Sequence, residues 1–90
     1  MANGTFTVPC PAGAWTQVAD GATYTSVQLQ VSSLGGVQAA IAAAEPAAGS
    51  TAFVLLSAGF APFPLATGDK LWCKPIDAAD ATVRGIGTGV

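Results

Sequence analysis

The stretch Thr25-Ser26-Val27-Gln28-Leu29-Gln30-Val31 alternates polar and apolar side chains along its length. The apolar residues Val27, Leu29 and Val31 fall on one side of an extended chain, and the polar residues between them fall on the other. Alternation with a period of two is typical of a β-strand that is buried on one face. This segment therefore predicts a half-buried strand and indicates a domain built on β-sheet.

The same alternation predicts further short strands on either side of this segment. Upstream, Phe6 and Val8 alternate with threonines until Pro9-Cys10-Pro11, where we expect the first strand to stop. A second short strand spans 15–18 and ends before a turn at Asp20-Gly21. Downstream, strands are predicted at 37–43, 52–57, 70–74 and 81–86, with turns at 45–50 and 67–69.

The glycine-containing loop 32–36 predicts a hairpin, in which 37–43 pairs antiparallel with 25–31. The alanines of 37–43 also permit a short helix, but an isolated helix of that length has little stability in water. We therefore expect a strand, and one of its faces carries Val37, Ala39, Ile41 and Ala43.

Six to eight short strands with no convincing helix between them predict an all-β fold, a small antiparallel β-sandwich or barrel. The 90 residues are enough for a single β domain, residues 1–90. Residues 1–4 could form a short arm, and the glycine-rich tail 85–90 is expected to fray. The apolar segment 60–65 is broken by prolines, which places it at a sheet edge or in a loop.

Charged side chains are scarce. They make up 9% of the chain, three basic and five acidic residues with a net charge of −2, against roughly 25% in ordinary soluble domains. Because a folded chain of this mass exposes roughly 4,800 Å², so weakly charged a surface favours coverage by protein partners. Three scattered cations do not predict binding to nucleic acid or electrostatic binding to a membrane.

Targeting signals are not evident in the sequence. No segment reaches the roughly 18 apolar residues of a membrane span. The first five residues lack the positive region and apolar core of a secretion signal. We expect synthesis or assembly in a cytoplasm.

The residue types that usually carry catalysis or bind metals are sparse. The chain has no histidine, which is the commonest general base and metal ligand, and its two cysteines do not complete a zinc site of the usual kind. Asp77 and Asp80 could share a loop, where we expect them to favour turns rather than bind calcium, which takes six to eight oxygen ligands. We therefore expect neither an enzyme nor a protein with a cofactor or metal. Cys10 and Cys73 could be bonded, but free apolar thiols are favoured.

Two segments carry candidate protein-contact residues. In 70–74, Leu71 and Cys73 are expected to face inward, which leaves Trp72 with Lys70 and Lys74 on the outer side. In 60–65, the prolines are expected to hold the segment out of the sheet. The candidate contact residues are Trp72, Lys70 and Lys74, with Phe60, Pro62 and Phe63.

The order of four segments resembles small virion accessory proteins of tailed bacteriophages, of the capsid decoration (cement) or head-fibre type. The segments are Thr25-Ser26-Val27-Gln28-Leu29-Gln30, Ala44-Glu45-Pro46, Gly68-Asp69-Lys70-Leu71-Trp72-Cys73-Lys74 and Ala81-Thr82-Val83-Arg84. The resemblance covers most of the chain through strand-and-turn patterns, and it assigns no site residue.

This resemblance implies a non-enzymatic β-sandwich that decorates the outer surface of a virion and is assembled in the host cytoplasm. It implies binding to the major capsid protein, often as a homotrimer, and reinforcement of the joints between capsomers. The alternatives are the attachment base of a head or tail fibre, a receptor- or glycan-binding module, and a head–tail adaptor.

Overall fold

A computed structural model describes residues 3–31, 36–47, 49–56, 60–76 and 78–89; it does not describe the side chain of Phe60. Throughout these ranges the regular structure is β-strand. The strands are β1 (Gly4–Cys10), β2 (Thr16–Asp20), β3 (Tyr24–Val31), β4 (Val37–Ala42), β5 (Val54–Leu56), β6 (Phe60–Pro64), β7 (Lys70–Pro75) and β8 (Ala81–Gly89).

The strands form two packed four-stranded sheets. Sheet A has the order β1-β8-β3-β6, and sheet B has the order β2-β7-β4-β5. Every paired neighbour is antiparallel. These two strand orders are those of a jelly roll, an eight-stranded sandwich built from two Greek keys. The predicted all-β antiparallel sandwich is confirmed.

The predicted hairpin between β3 and β4 is wrong, although both segments are strands. β3 lies between β8 and β6 in sheet A, whereas β4 lies between β7 and β5 in sheet B. Because the two strands belong to different sheets, their apolar faces meet across the core instead of lying side by side. Within the described ranges, β4 and β5 are the single consecutive pair that shares a ladder.

The core fills the space between the inner faces of the two sheets. In β3, Val27, Leu29 and Val31 are buried as predicted, and full burial of such a side chain stabilises the fold by about 1.5–3 kcal/mol. The buried cluster consists of Cys10, Val18, Ala19, Val27, Leu29, Val31, Val37, Ala39, Phe63, Leu65, Leu71, Cys73, Ala81 and Val83.

The two ends of the chain pair more extensively than predicted. Pro9 does not stop β1, because β1 is an edge strand and the proline is exposed opposite Thr82. The glycine-rich tail forms part of the central strand β8 through Gly89, which corrects the expected fraying. Gly4 opens β1 opposite Gly87, and Asn3 Oδ1 accepts a hydrogen bond from the Gly89 amide at 2.8 Å. Of the expected arm, only residues 1–2 lie outside the described ranges.

The proline-containing segment forms the edge strand β6, one of the two predicted outcomes. The Leu65 amide donates to the Thr25 carbonyl at 2.8 Å. Residues two apart direct their amides to the same side of a strand. The amide of Phe63 therefore points towards β3, like that of Leu65, whereas the nitrogens of Pro62 and Pro64 point to the free edge. The prolines sit where no donor is needed, so they do not hold β6 out of the ladder as expected.

Candidate protein-contact surface

The outer side of β7 carries three of the predicted contact residues in a row. Leu71 and Cys73 are fully buried, whereas Lys70, Trp72 and Lys74 are half-buried. The predicted orientation of this strand is confirmed. We call this row, with its neighbours Gln17 opposite Trp72 and Gln38 opposite Lys74, the Trp72 face.

The indole of Trp72 lies over β4. Its Nε1 donates a hydrogen bond to the carbonyl of Ala42 at 3.1 Å. Ala40 lies opposite Trp72 in the β4–β7 ladder and is 6% exposed although it is on the outer face. Because the indole donor is already satisfied, the exposed part of the ring offers apolar area to a partner rather than a hydrogen bond.

A second tryptophan adjoins one end of this face and is buried. The Lys74 Nζ atom lies 6.0 Å from the centroid of the Trp15 ring, at the limit of a cation–π contact. The Trp15 ring also packs against Phe53, with centroids 6.3 Å apart. Its Nε1 is buried and has no acceptor among the described residues. Since that nitrogen has almost no accessible surface, Trp15 is a packing residue.

The other predicted contact residues do not join the Trp72 face. Phe63 is 8% exposed and belongs to the core, which corrects the expectation that it is available to a partner. Pro62 is exposed, but it lies in sheet A opposite Gln28, on the far side of the sandwich from Trp72. The Phe60 side chain lies outside the described part of the chain. A flat partner surface that covers the Trp72 face would therefore not contact Pro62.

Sequence reasoning missed an exposed apolar area around β5. Leu55 is 66% and Val54 is 54% exposed, and Ile41 and Ile76 are also exposed; a further exposed isoleucine, Ile86, lies in sheet A. The run 52–56 is uniformly apolar, so its composition predicts a strand but not which face is buried. Its position at the edge of sheet B is a property of the strand order.

The two cysteines are free and lie in the core, in agreement with the favoured interpretation. Burial raises the pKa of the Cys10 thiol. Burial, with a smaller contribution from the charge of Cys10, raises the pKa of Cys73 to about 12. Both groups are therefore neutral thiols at ordinary pH, whereas reactivity needs the thiolate.

Three of the four described side-chain carboxylates accept hydrogen bonds from backbone amides in loops and turns. Asp80 Oδ1 accepts from the Ala12 amide at 2.8 Å, which ties two loops together. Asp20 Oδ1 accepts from the Ala22 amide at 2.9 Å, and Asp69 Oδ2 accepts from the Ala66 amide at 3.0 Å. Asp77 lies outside the described residues, so the expectation that Asp77 and Asp80 share a loop and favour its turns stays a prediction. No group of three or more His, Cys, Asp or Glu side chains gathers within the described ranges.

No family model, no curated protein and no solved structure matches this chain. The described part of the chain also contains no helix with the length and hydrophobicity that a membrane crossing requires. Any functional conclusion therefore depends on the strand order and on the chemistry of the surface.

Proposed function

We propose that this chain is a non-enzymatic structural protein of a tailed-phage virion, a capsid decoration protein that binds the outer shell and reinforces the joints between capsomers. The observation that carries this proposal is the character of the surface. The accessible area is 4801 Å², yet the whole chain has eight charged residues, three basic and five acidic, while large apolar side chains are exposed. Surfaces of this kind are typical of proteins that work covered by a partner.

The strand order is compatible with this role. Jelly rolls form viral capsid domains as well as lectin domains. A fold by itself does not determine a function, so the strand order supports the proposal only together with the surface.

The Trp72 face is the part of the surface that we propose as the contact with the shell. Interface centres are enriched in aromatic residues, whose apolar area is removed from water on binding. Trp72 is held in place by its hydrogen bond to Ala42, so little conformational freedom would be lost when a partner covers it. Lys70 and Lys74 stand on either side and would favour carboxylates on the shell protein.

The copy number of the chain in purified particles tests the proposed function. Quantitative mass spectrometry against the major shell protein should give hundreds of copies per particle for a lattice decoration. A handful of copies would indicate a fibre or tail joint instead. Absence from particles would reject a virion role altogether.

The role of Trp72 is tested by re-binding to particles stripped of this chain. Trp72→Ala should weaken saturable binding by about 2 kcal/mol or more, roughly thirtyfold in Kd, as expected for an interface anchor. Ile86→Ala removes exposed apolar area from the opposite side of the sandwich and should leave binding unchanged. Circular dichroism must show that both variants keep the β fold. Equal binding by Trp72→Ala and the wild type would contradict this assignment.

A glycan-binding module at a fibre base is the second candidate. The observation that favours it is the partly exposed Trp72 ring beside the amides of Gln17 and Gln38, since aromatic rings and amides are the groups that stack on sugars and hydrogen-bond to them. Titration with host-surface glycans should then shift tryptophan fluorescence saturably, and Trp72→Ala should abolish the shift. The decoration role predicts no shift.

A further inference from the structure

Four strands form the edges of the two sheets, and three of them carry features that discourage pairing with another chain. β1 contains Pro9, and β6 directs the nitrogens of Pro62 and Pro64 to its free side. β2 has a register shift between Gln17 and Ala19 and ends in Asp20. Prolines, bulges and charges are the usual means by which proteins protect sheet edges.

β5 (Val54–Leu56) is the remaining edge strand. The only feature that discourages its pairing with another chain is its short length of three residues. Its unpaired side has no proline and no charge, and Leu55 and Val54 are the most exposed large apolar side chains among the described residues. An exposed apolar edge strand is a template for pairing with a further strand.

An apolar groove of about 320 Å³ runs beside this edge, where the two sheets open. Its lining includes Ala39, Ile41, Ala52, Phe53, Val54 and Phe63. None of these lining residues is charged, and neither is any residue of β5. Lys70 and Lys74 lie on β7, on the other side of β4 from β5. The edge and the groove together form one continuous apolar and uncharged surface.

We infer that β5 pairs antiparallel with β5 of a second copy of this chain across a two-fold axis, joining the two copies of sheet B into one continuous sheet. An identical copy fits because both edges are apolar and uncharged, so pairing brings no like charges together at the contact. A two-fold axis makes one patch complementary to itself. A strongly charged partner would find no opposite charge here.

The register of this contact follows from the symmetry. With the axis at Leu55, the two copies of Leu55 lie directly opposite each other, and Val54 lies opposite Leu56 of the second copy. Val54 and Leu56 pair with Ala39 and Val37 of β4, whose side chains face the core. Each copy would therefore extend the apolar wall of the other's groove. This inference concerns the free chain and does not depend on binding to a shell.

Sedimentation velocity over a range of protein concentration tests the inference. The wild type should show a concentration-dependent dimer, and Leu55→Lys should raise the dimer dissociation constant at least tenfold. Ile86→Lys is the matched control, because it introduces the same charge at a residue that is 49% exposed in sheet A, and it should dimerise like the wild type. A monomeric wild type at all concentrations, a discrete trimer unaffected by Leu55→Lys, or equal weakening by both variants would overturn the inference.

Cross-linking tests the register itself. Directly opposed residues in an antiparallel pair have Cα atoms about 4.5–5.5 Å apart, within reach of a disulfide. In Leu55→Cys, mild oxidation with diamide should form one S–S bond between two copies, with two electrons and two protons passing to the diamide. Ile86→Cys should stay monomeric on a non-reducing gel. If Leu55→Cys fails to cross-link while the wild type dimerises, the β5 contact is wrong.

Discussion

At two positions of β8, Gly85 and Gly87, neighbouring aromatic rings leave no room for a side chain. The rings of Phe6 and Tyr24 are stacked with centroids 5.9 Å apart, and they lie against the backbone of β8. A methyl group added at Gly85 would overlap the ring of Phe6, and one added at Gly87 would overlap the ring of Tyr24. Glycine within a strand often marks such a close approach.

We predict that Gly87→Ala destabilises the protein by about 1–3 kcal/mol, the usual effect of overpacking. Gly49→Ala is the matched control, because a Cβ at Gly49 meets nothing within 4 Å, and it should change stability by about 0.5 kcal/mol or less. Urea unfolding measures both. Adding Tyr24→Leu to Gly87→Ala should cost less than the sum of the single changes. If Gly87→Ala unfolds at the same midpoint as Gly49→Ala, the close approach of Tyr24 is wrong.

At the scale of elements, two apolar segments have different environments. In β6, Phe63 faces the core opposite Val27, and the exposed prolines lie opposite polar residues of β3. In β5, the apolar side chains project largely into solvent. The difference arises because β6 contributes Phe63 to the inner face of sheet A, within the shared core, whereas Val54 and Leu55 of β5 lie at the edge of sheet B and are exposed.

Substitutions of Phe63 and of its neighbour Pro62 should therefore differ strongly in their effect on stability. Phe63→Ala should destabilise the fold by about 3–5 kcal/mol, because it leaves a cavity in the core, whereas Pro62→Ala at an exposed position should have an effect within about 1 kcal/mol. Denaturant unfolding of both variants is the measurement. If Phe63→Ala is too unstable to fold, Phe63→Leu should still lose stability relative to Pro62→Ala. If the Phe63→Ala variant keeps its stability and loses only partner binding, the core assignment is wrong and Phe63 is a contact residue, as the sequence predicts.

At the scale of the whole molecule, the core is a single layer shared by both sheets. Cys10 projects into it from sheet A and Cys73 from sheet B, and both are fully buried. Because a thiolate in this layer would be poorly solvated, the ionisation of either thiol opposes the packing of the two sheets.

Stability should consequently fall at alkaline pH. The Cys73 thiol has a pKa of about 12 in the folded state and an ordinary value of 9.0, so between these values the unfolded chain binds fewer protons than the folded one. The free energy of unfolding should be unaffected by this thiol below pH 9 and should then fall by up to about 1.4 kcal/mol per pH unit. Cys10 acts in the same direction.

The slope of stability against pH, rather than its absolute value, measures this effect. Cys73→Ala should flatten the decline between pH 9 and 11 relative to the wild type, even if the lost volume lowers stability at every pH. Cys10→Ala serves as a second variant with the same expectation. Parallel slopes for all three proteins would mean that the thiols are accessible to water.

The amino-acid sequence by itself determined the strand faces wherever polar and apolar residues alternate. In β3 and β7 this pattern separated buried Leu29 and Leu71 from outward-facing Gln28 and Trp72, because side chains in a strand alternate regardless of which strand is the neighbour. The same argument predicted the all-β class. It failed for Phe63, since its neighbours are prolines and no polar residue marks the outer face.

Only the tertiary structure decided the strand order, and with it the edges. The sequence places β3 next to β4, but the structure places them in different sheets, and it places the glycine-rich β8 between β1 and β3. Many pairings between segments far apart in the chain compete with one another. The pairing that forms is the one that buries the apolar faces of the two sheets most completely. Local periodicity contains no information on which strands pair, so the exposure of β5 is seen only in the packed sandwich.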